Sequence, residues 1–259
     1  MRTVAHLGAN GGELFYVQDP DACNEAEFEI SVVEALTTVY RGYQCIRFTG
    51  TFDLNGQCHR PDLALVAADC SHWFVIEVEL VSHSLEDHVL PQVRAFHYGE
   101  PRNDCVSSLA RDLRIEASRA QTLLKHVPRA VVVIANRWGE NWRPILRSHS
   151  VQMLVVTRFQ TSNGVRAVEV DGALQVTAEN LGIGRYSVAD RSMVFSGAMR
   201  IPRGPIQLED ESGVVGNWVA VESGLQLWVT KEWGDAAIPD GAHVRIIRAI
   251  GGKLSIRLF

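Results

Sequence analysis

Arg60-Pro61-Asp62-Leu63-Ala64-Leu65-Val66, a polar turn, and Trp73-Phe74-Val75-Ile76-Glu77-Val78-Glu79-Leu80-Val81 decide how this 259-residue chain is read. Both are apolar runs of strand length, and they carry three carboxylates, Asp62, Glu77 and Glu79. A buried strand excludes charge unless the charge is paired or bound to a metal. Side chains alternate along a strand, so Phe74, Ile76, Val78 and Leu80 share one face. Trp73, Val75, Glu77 and Glu79 share the other, with the two glutamates about 7 Å apart at their Cα atoms. If the first run lies beside the second, Asp62 converges on them. Three oxygen-rich side chains meeting at a strand end suit a hard divalent cation such as Mg2+.

Upstream, Phe28, Val32, Leu36 and Val39 recur at helical spacing between Asn24 and Arg41, with Asn24 as N-cap and Gly42 as terminator. Tyr43 to Phe52 reads as a strand, closed by a turn at Asp53-Leu54-Asn55-Gly56. The Gly8-Ala9-Asn10-Gly11-Gly12 stretch reads as a loop before a short strand at Glu13–Val17, since no GK[ST] follows. Downstream, Ser84 with Asp87 resembles a capping box and opens a helix to His97, with a kink or restart at Pro91. His88 and Gln92 are one turn apart on that helix. His83 shares the parity of Glu77 and Glu79 if the strand runs that far, and either histidine could assist the site.

Arg102 to Val127 reads as two helical pieces packed through Leu109, Leu113, Leu123, Leu124 and Val127. Ala130–Ala135 is wholly apolar, as in a central strand covered on both faces. A short helix at Asn141–Ser148 and a strand at Val151–Phe159 follow. Strands alternating with helices predict an α/β core. Val165–Val176 alternates around Asp171-Gly172, a hairpin signal.

Beyond Leu181 helical periodicity fades. The runs 218–221, 225–229, 244–248 and 254–258 are separated by Gly- and Asp-bearing turns, predicting a small antiparallel β-barrel, SH3-like or OB-like. The expected boundary gives an α/β domain at 1–178 and a barrel at 179–259. Trp218, Trp228 and Trp233 could stack bases, although core packing is the commoner use of at least two of them.

Pro61-Asp62 followed by Glu77-Val78-Glu79 resembles the signature of the PD-(D/E)XK, or restriction-endonuclease-like, nuclease superfamily. Gln92-Val93-Arg94-Ala95-Phe96 resembles the Gln-x-x-x-Tyr element of some branches, with Phe96 in place of tyrosine. The order helix, three strands, helix, strand, helix, strand matches that core, over roughly Glu25 to Phe159. The resemblance implies a mixed sheet flanked by helices and a Mg2+- or Mn2+-dependent nuclease, with DNA as substrate. It implies that Asp62 and Glu77 hold the metal, with Glu29 of the first helix as a third ligand and Glu25 as the alternative. Glu79 stands where most members carry lysine; it would orient or deprotonate the attacking water or bind a second metal. Gln92 would orient the substrate phosphate or a site carboxylate. The missing lysine leaves a second reading, a catalytically inactive relative that binds nucleic acid or serves as an assembly subunit.

Composition bounds both readings. The net charge of −5 excludes a wholly basic nucleic-acid binder but permits a local basic face. Of the 25 basic residues only Lys125, Lys231 and Lys253 are lysines, none near the motif. Five cysteines without a CxxC pair argue for reduced thiols and a cytoplasmic setting. No apolar run has spanning length, so no membrane partner is expected. Cutting both strands of a duplex calls for two sites, hence an expected homodimer, and the barrel is a candidate surface for a protein partner.

Overall fold

The computed structural model describes residues 2–6, 14–176, 178–196, 200–234, 236–249 and 252–258. The chain divides into two compact units, one of residues 1–125 and 129–175, the other of residues 126–128 and 176–259. The glycine-rich stretch at 8–12 lies outside the described residues.

The first unit is built on one mixed sheet. Its strands are β1 (Arg2–His6), β2 (Tyr16–Val17), β3 (Tyr43–Arg47), β6 (Leu63–Ala67), β7 (Trp73–Glu79), β9 (Arg129–Ala135), β10 (Gln152–Gln160) and β11 (Arg166–Asp171). The order is β1-β11-β10-β9-β7-β6-β3, with β2 added to β10. The three central strands β7, β9 and β10 run parallel, and the remaining pairings are antiparallel. Every residue of β6 and β7 is buried, so both faces of the sheet are covered there. That is the environment a continuous apolar run selects. A side sheet joins β4 (Phe52–Leu54), β5 (Gln57–His59) and β8 (Glu100–Pro101).

Helix α1 (Glu25–Val39) starts at a full capping box. Asn24 accepts from the Glu27 N–H, and Glu27 accepts from the Asn24 N–H. Its stripe Phe28, Val32 and Leu36 is fully buried, and the helix packs against β3 and β7. Helices α3 (Asn103–Leu113), α4 (Ala117–His126) and α5 (Trp142–Ser148) follow the expected segments, and all five expected packing residues of the 102–127 region are buried.

Three local expectations need correction. Asp171-Gly172 does not turn a hairpin. The β10–β11 turn lies at Thr161–Val165, and Asp171 is the last residue of β11. Gly172 is required for another reason: its φ is +122°, and a Cβ there would stand 2.5 Å from Leu154 Cδ2. Tyr43–Phe52 is not one strand, because β3 ends at Arg47 and Phe52 begins β4. Finally, β7 ends at Glu79, so His83 is brought back by a turn, its N–H donating to the Leu80 carbonyl, and not by strand parity.

The expected kink at Pro91 takes a defined form. Residues Leu85–Val89 make a π-helical turn that runs into α2 (Leu90–Tyr98). The proline ring would clash with the carbonyl of Asp87 in a regular helix, and the widened turn relieves this. At the other end of α2, the half-buried Arg129 donates to the carbonyls of Phe96 (2.5 Å), His97 (3.2 Å) and Gly99 (2.8 Å). These satisfy acceptors that a helix C-terminus leaves open.

The second unit is a closed barrel of seven strands in the order β12-β13-β16-β15-β14-β18-β17. They span β12 (Ala178–Ser187), β13 (Ser192–Ser196), β14 (Gly204–Glu209), β15 (Val215–Ser223), β16 (Gln226–Lys231), β17 (His243–Ala249) and β18 (Leu254–Leu258). Closure removes the exposed sheet edge that four isolated strands would leave. The count exceeds the five of an OB barrel. Trp218 is in the barrel core, Trp228 is half-buried and Trp233 is 82% exposed, so the three tryptophans do not form one stacking surface.

Candidate metal centre

The sheet register puts the carboxylates where the sequence placed them along the strands. Leu63 pairs with Ile76, so the next position in this antiparallel ladder sets Asp62 beside Glu77. Asp62 Oδ2 accepts from the Val78 N–H at 2.8 Å, which locks the aspartate across the strand pair. Glu77 is 3% and Glu79 1% exposed. Among the described residues no lysine or arginine lies within ion-pair distance of Asp62, Glu77 or Glu79. The Oε2 atom of Glu77 is buried without a hydrogen-bond partner. An ionised carboxylate in that state is costly unless a cation reaches it.

The electrostatics follow. Burial pushes the Asp62 carboxyl up to about 6 from the usual 3.8, helped by Glu29, Glu25 and Glu79 and opposed by the Val78 N–H. Burial pushes Glu77 well above the ordinary glutamate range, and Asp62, Glu79 and Glu25 add to it. Glu79 is raised by burial, against the pull of His83 and His88. Asp62 and Glu77, raised together with carboxylates as neighbours, make a locus of negative potential that His83 and His88 offset only at Glu79.

The three do not meet at one point, as the sequence suggested they would. Among the described residues, the set of three ligand-type side chains whose ligand atoms lie within 4.8 Å of one another is Glu79, His83 and His88. His83 Nδ1 stands 3.0 Å from Glu79 Oε2, and His88 Nε2 stands 3.3 Å from Glu79 Oε1. The cluster is therefore a pair, Asp62 with Glu77, next to a triad centred on Glu79. The reason is local: Glu79 ends β7, and the turn and π-helical segment that follow fold two imidazoles back onto it.

The first-helix candidates separate as well. Glu29 makes an ion pair with Arg47 at 3.1 Å. Glu25 bears electrostatically on Asp62, Glu77 and Glu79 alike. Gln92 lies one turn after His88 in α2, and its Oε1 is buried with no partner. Sequence reasoning missed Asn136. This buried residue accepts from the Val81 N–H at 3.0 Å and donates to the Pro20 carbonyl at 3.0 Å, pinning the segment that leaves β7. Its one signal was a polar residue directly after an apolar strand.

The donor set fits a cation. Asp62 and Glu77 offer oxygen only, suited to Mg2+ or Mn2+, and the orphaned Oε2 is the atom a metal would satisfy. No family model, curated protein or solved structure matches the chain. Among the described residues no helix is long and apolar enough to cross a membrane.

Proposed function

We propose that the chain is a metal-dependent nuclease that hydrolyses phosphodiester bonds, with DNA as its substrate. One observation carries the reading: Asp62 and Glu77 are neighbouring carboxylates in the sheet, pushed upward by burial and, among the described residues, without a basic partner and with one oxygen left unbonded. Structural carboxylates in a core are normally paired. The resemblance of Pro61-Asp62 and Glu77-Val78-Glu79 to the PD-(D/E)XK signature supports the same reading.

Asp62 and Glu77 would hold Mg2+ or Mn2+, with Glu29 and Glu25 of the first helix bearing on the same locus. When bound, such an ion polarises a phosphoryl oxygen and acidifies a bound water. The chain supplies the rest. The Val78 N–H keeps Asp62 in one orientation. Gln92 brings an amide whose Oε1 has no partner among the described residues; that oxygen could accept from water while the NH2 group orients the substrate phosphate or a site carboxylate. Glu79 would stand beside the pair rather than in it, held by His83 and His88. A homodimer would provide the two sites that scission of both strands needs, and the barrel would be the surface for a further protein partner.

The test is cleavage of plasmid and single-stranded DNA in Mg2+ and in Mn2+, for the wild type, Asp62→Asn and Glu77→Gln. Cleavage by the wild type that both substitutions abolish is the expected result. Full activity in both variants rejects this site. Metal-independent DNA binding with no cleavage under any condition favours the catalytically inactive alternative, for which the absence of a lysine near the motif speaks.

A further inference from the structure

We propose that Glu79, His83 and His88 form a second metal site, selective for a borderline transition-metal ion of the Zn2+ class and separate from the oxygen-only Asp62–Glu77 pair. The inference rests on these three residues and not on nuclease activity. Two imidazoles and one carboxylate are a donor set for Zn2+ and its neighbours, whereas Mg2+ takes oxygen.

The spacing suits an ion. Ligand atoms about 2.0–2.1 Å from a tetrahedral metal stand roughly 3.3–3.4 Å apart. The distances from Glu79 Oε1 to His83 Nδ1 and to His88 Nε2 are both 3.3 Å, and Oε2 to His83 Nδ1 is 3.0 Å. The two imidazole rings lie 5.3 Å apart, nearly perpendicular at 81°, and the three ligand atoms all lie within 4.8 Å of one another. Without an ion, two imidazoles crowd onto one carboxyl that is 1% exposed. With one, all three groups present lone pairs to a single positive centre.

The scaffold is built before the ion arrives. Glu79 ends a central strand, and its carbonyl accepts from the Asn136 N–H. Asn136 holds Val81, and the turn from Leu80 fixes the backbone of His83. His88 is carried by the π-helical turn, its N–H donating to the Ser84 carbonyl at 3.1 Å. Rigid supports of this kind hold ligand geometry. Access is open from one side, because the side chains of His83 and His88 are 36% and 49% exposed while that of Glu79 is 1% exposed. Three protein ligands with a solvent-facing side leave a coordination position for water or a substrate oxygen.

The experiment is a Co2+ titration of the chelator-stripped full chain, followed by visible d–d absorption and by displacement with Zn2+. Expected is a low-coordinate Co2+ spectrum that Zn2+ removes. His83→Gln and His88→Gln should each weaken Co2+ binding by at least roughly 100-fold, beyond the loss of an outer-shell partner. Asp62→Asn should leave it essentially unchanged. Both imidazoles are partly exposed, so the glutamine variants should fold, and their thermal midpoint in EDTA checks that. Wild-type Co2+ affinity in the folded His83→Gln/His88→Gln double variant overturns the proposal. So does a Co2+ spectrum that depends on Asp62 and not on the histidines. Absence of Mg2+-dependent cleavage sinks the nuclease reading but leaves this result untouched.

Discussion

Glu77 in the α/β unit and Glu179 in the barrel unit are the same side chain in opposite circumstances. Glu179, 17% exposed, is clamped by two guanidinium groups, Arg200 at 2.6 Å and Arg248 at 3.2 Å. Glu77 is deeper, has Asp62 and Glu79 as its electrostatic neighbours, and leaves Oε2 unbonded. The barrel answers a carboxylate with the protein's own cations. The α/β unit does own a half-buried cation, Arg129, but uses it on the carbonyls at the end of α2. The contrast teaches that the bare pair is not a shortage of arginine, of which the chain has many, but an arrangement that leaves the positive charge to come from outside.

The largest expected effect is on chemistry. Glu77→Gln and Asp62→Asn should each lower metal-dependent cleavage by about 10²–10⁴-fold, the range for loss of a positioned catalytic group. Glu179→Gln should leave cleavage rates as they are. Rates measured on one plasmid substrate check all three, and equal losses would erase the distinction between the two glutamates.

The next effect is on stability against pH in EDTA. Asp62 sits at about 6 in the fold against 3.8 in the unfolded chain, so the folded state holds a proton that the unfolded state has released. Its contribution is complete below about 3.8 and is lost as pH rises through about 6, the reverse of a salt-bridged aspartate. At 1.36 kcal/mol per pH unit the loss is on the order of 3 kcal/mol. Denaturant melts from pH 4 to 7 should therefore show a falling component that Asp62→Asn flattens. A rising curve unchanged by the substitution would place a hidden cation at the pair.

Smaller again, Arg129→Met should cost about 2 kcal/mol by stranding the α2 carbonyls. It should also displace Gln92 with the helix, read as lower cleavage at unchanged metal affinity. Smallest, Glu179→Gln should cost about 0.5–1 kcal/mol, since Arg200 and Arg248 are half-exposed and solvent screens the pair. A cost above that of Arg129→Met would mean the barrel pair matters more than its exposure implies.

Much of this was legible in the chain. The all-apolar runs at Leu63–Val66 and Ala130–Ala135 announced doubly covered strands, and period two put Glu77 and Glu79 on one face. The barrel's last four strands showed as alternating runs between turns. What escaped depended on contacts distant in sequence. Nothing near Glu79 says that the strand stops there and that His83 returns through a turn. The pairing of Gly172 with Leu154 looks, locally, like an Asp-Gly hairpin. The closing strands β12 to β14 carry weak alternation because Gly182, Gly184 and Pro205 interrupt it. Asn136 acts on Val81 across 55 positions, beyond any local pattern.

The central claim is that the Asp62–Glu77 pair is held bare for a hard cation. Thermal unfolding of the α/β unit, in EDTA and in excess Mg2+, for the wild type and Glu77→Gln, tests it most directly. The expected result is a wild type that Mg2+ stabilises, by about 2.7 kcal/mol at one hundred times the dissociation constant. Beside it, Glu77→Gln should be insensitive to Mg2+ and, without metal, more stable than the wild type by about 1 kcal/mol. A wild type indifferent to Mg2+, together with a Glu77→Gln variant less stable than it in EDTA, would contradict the account.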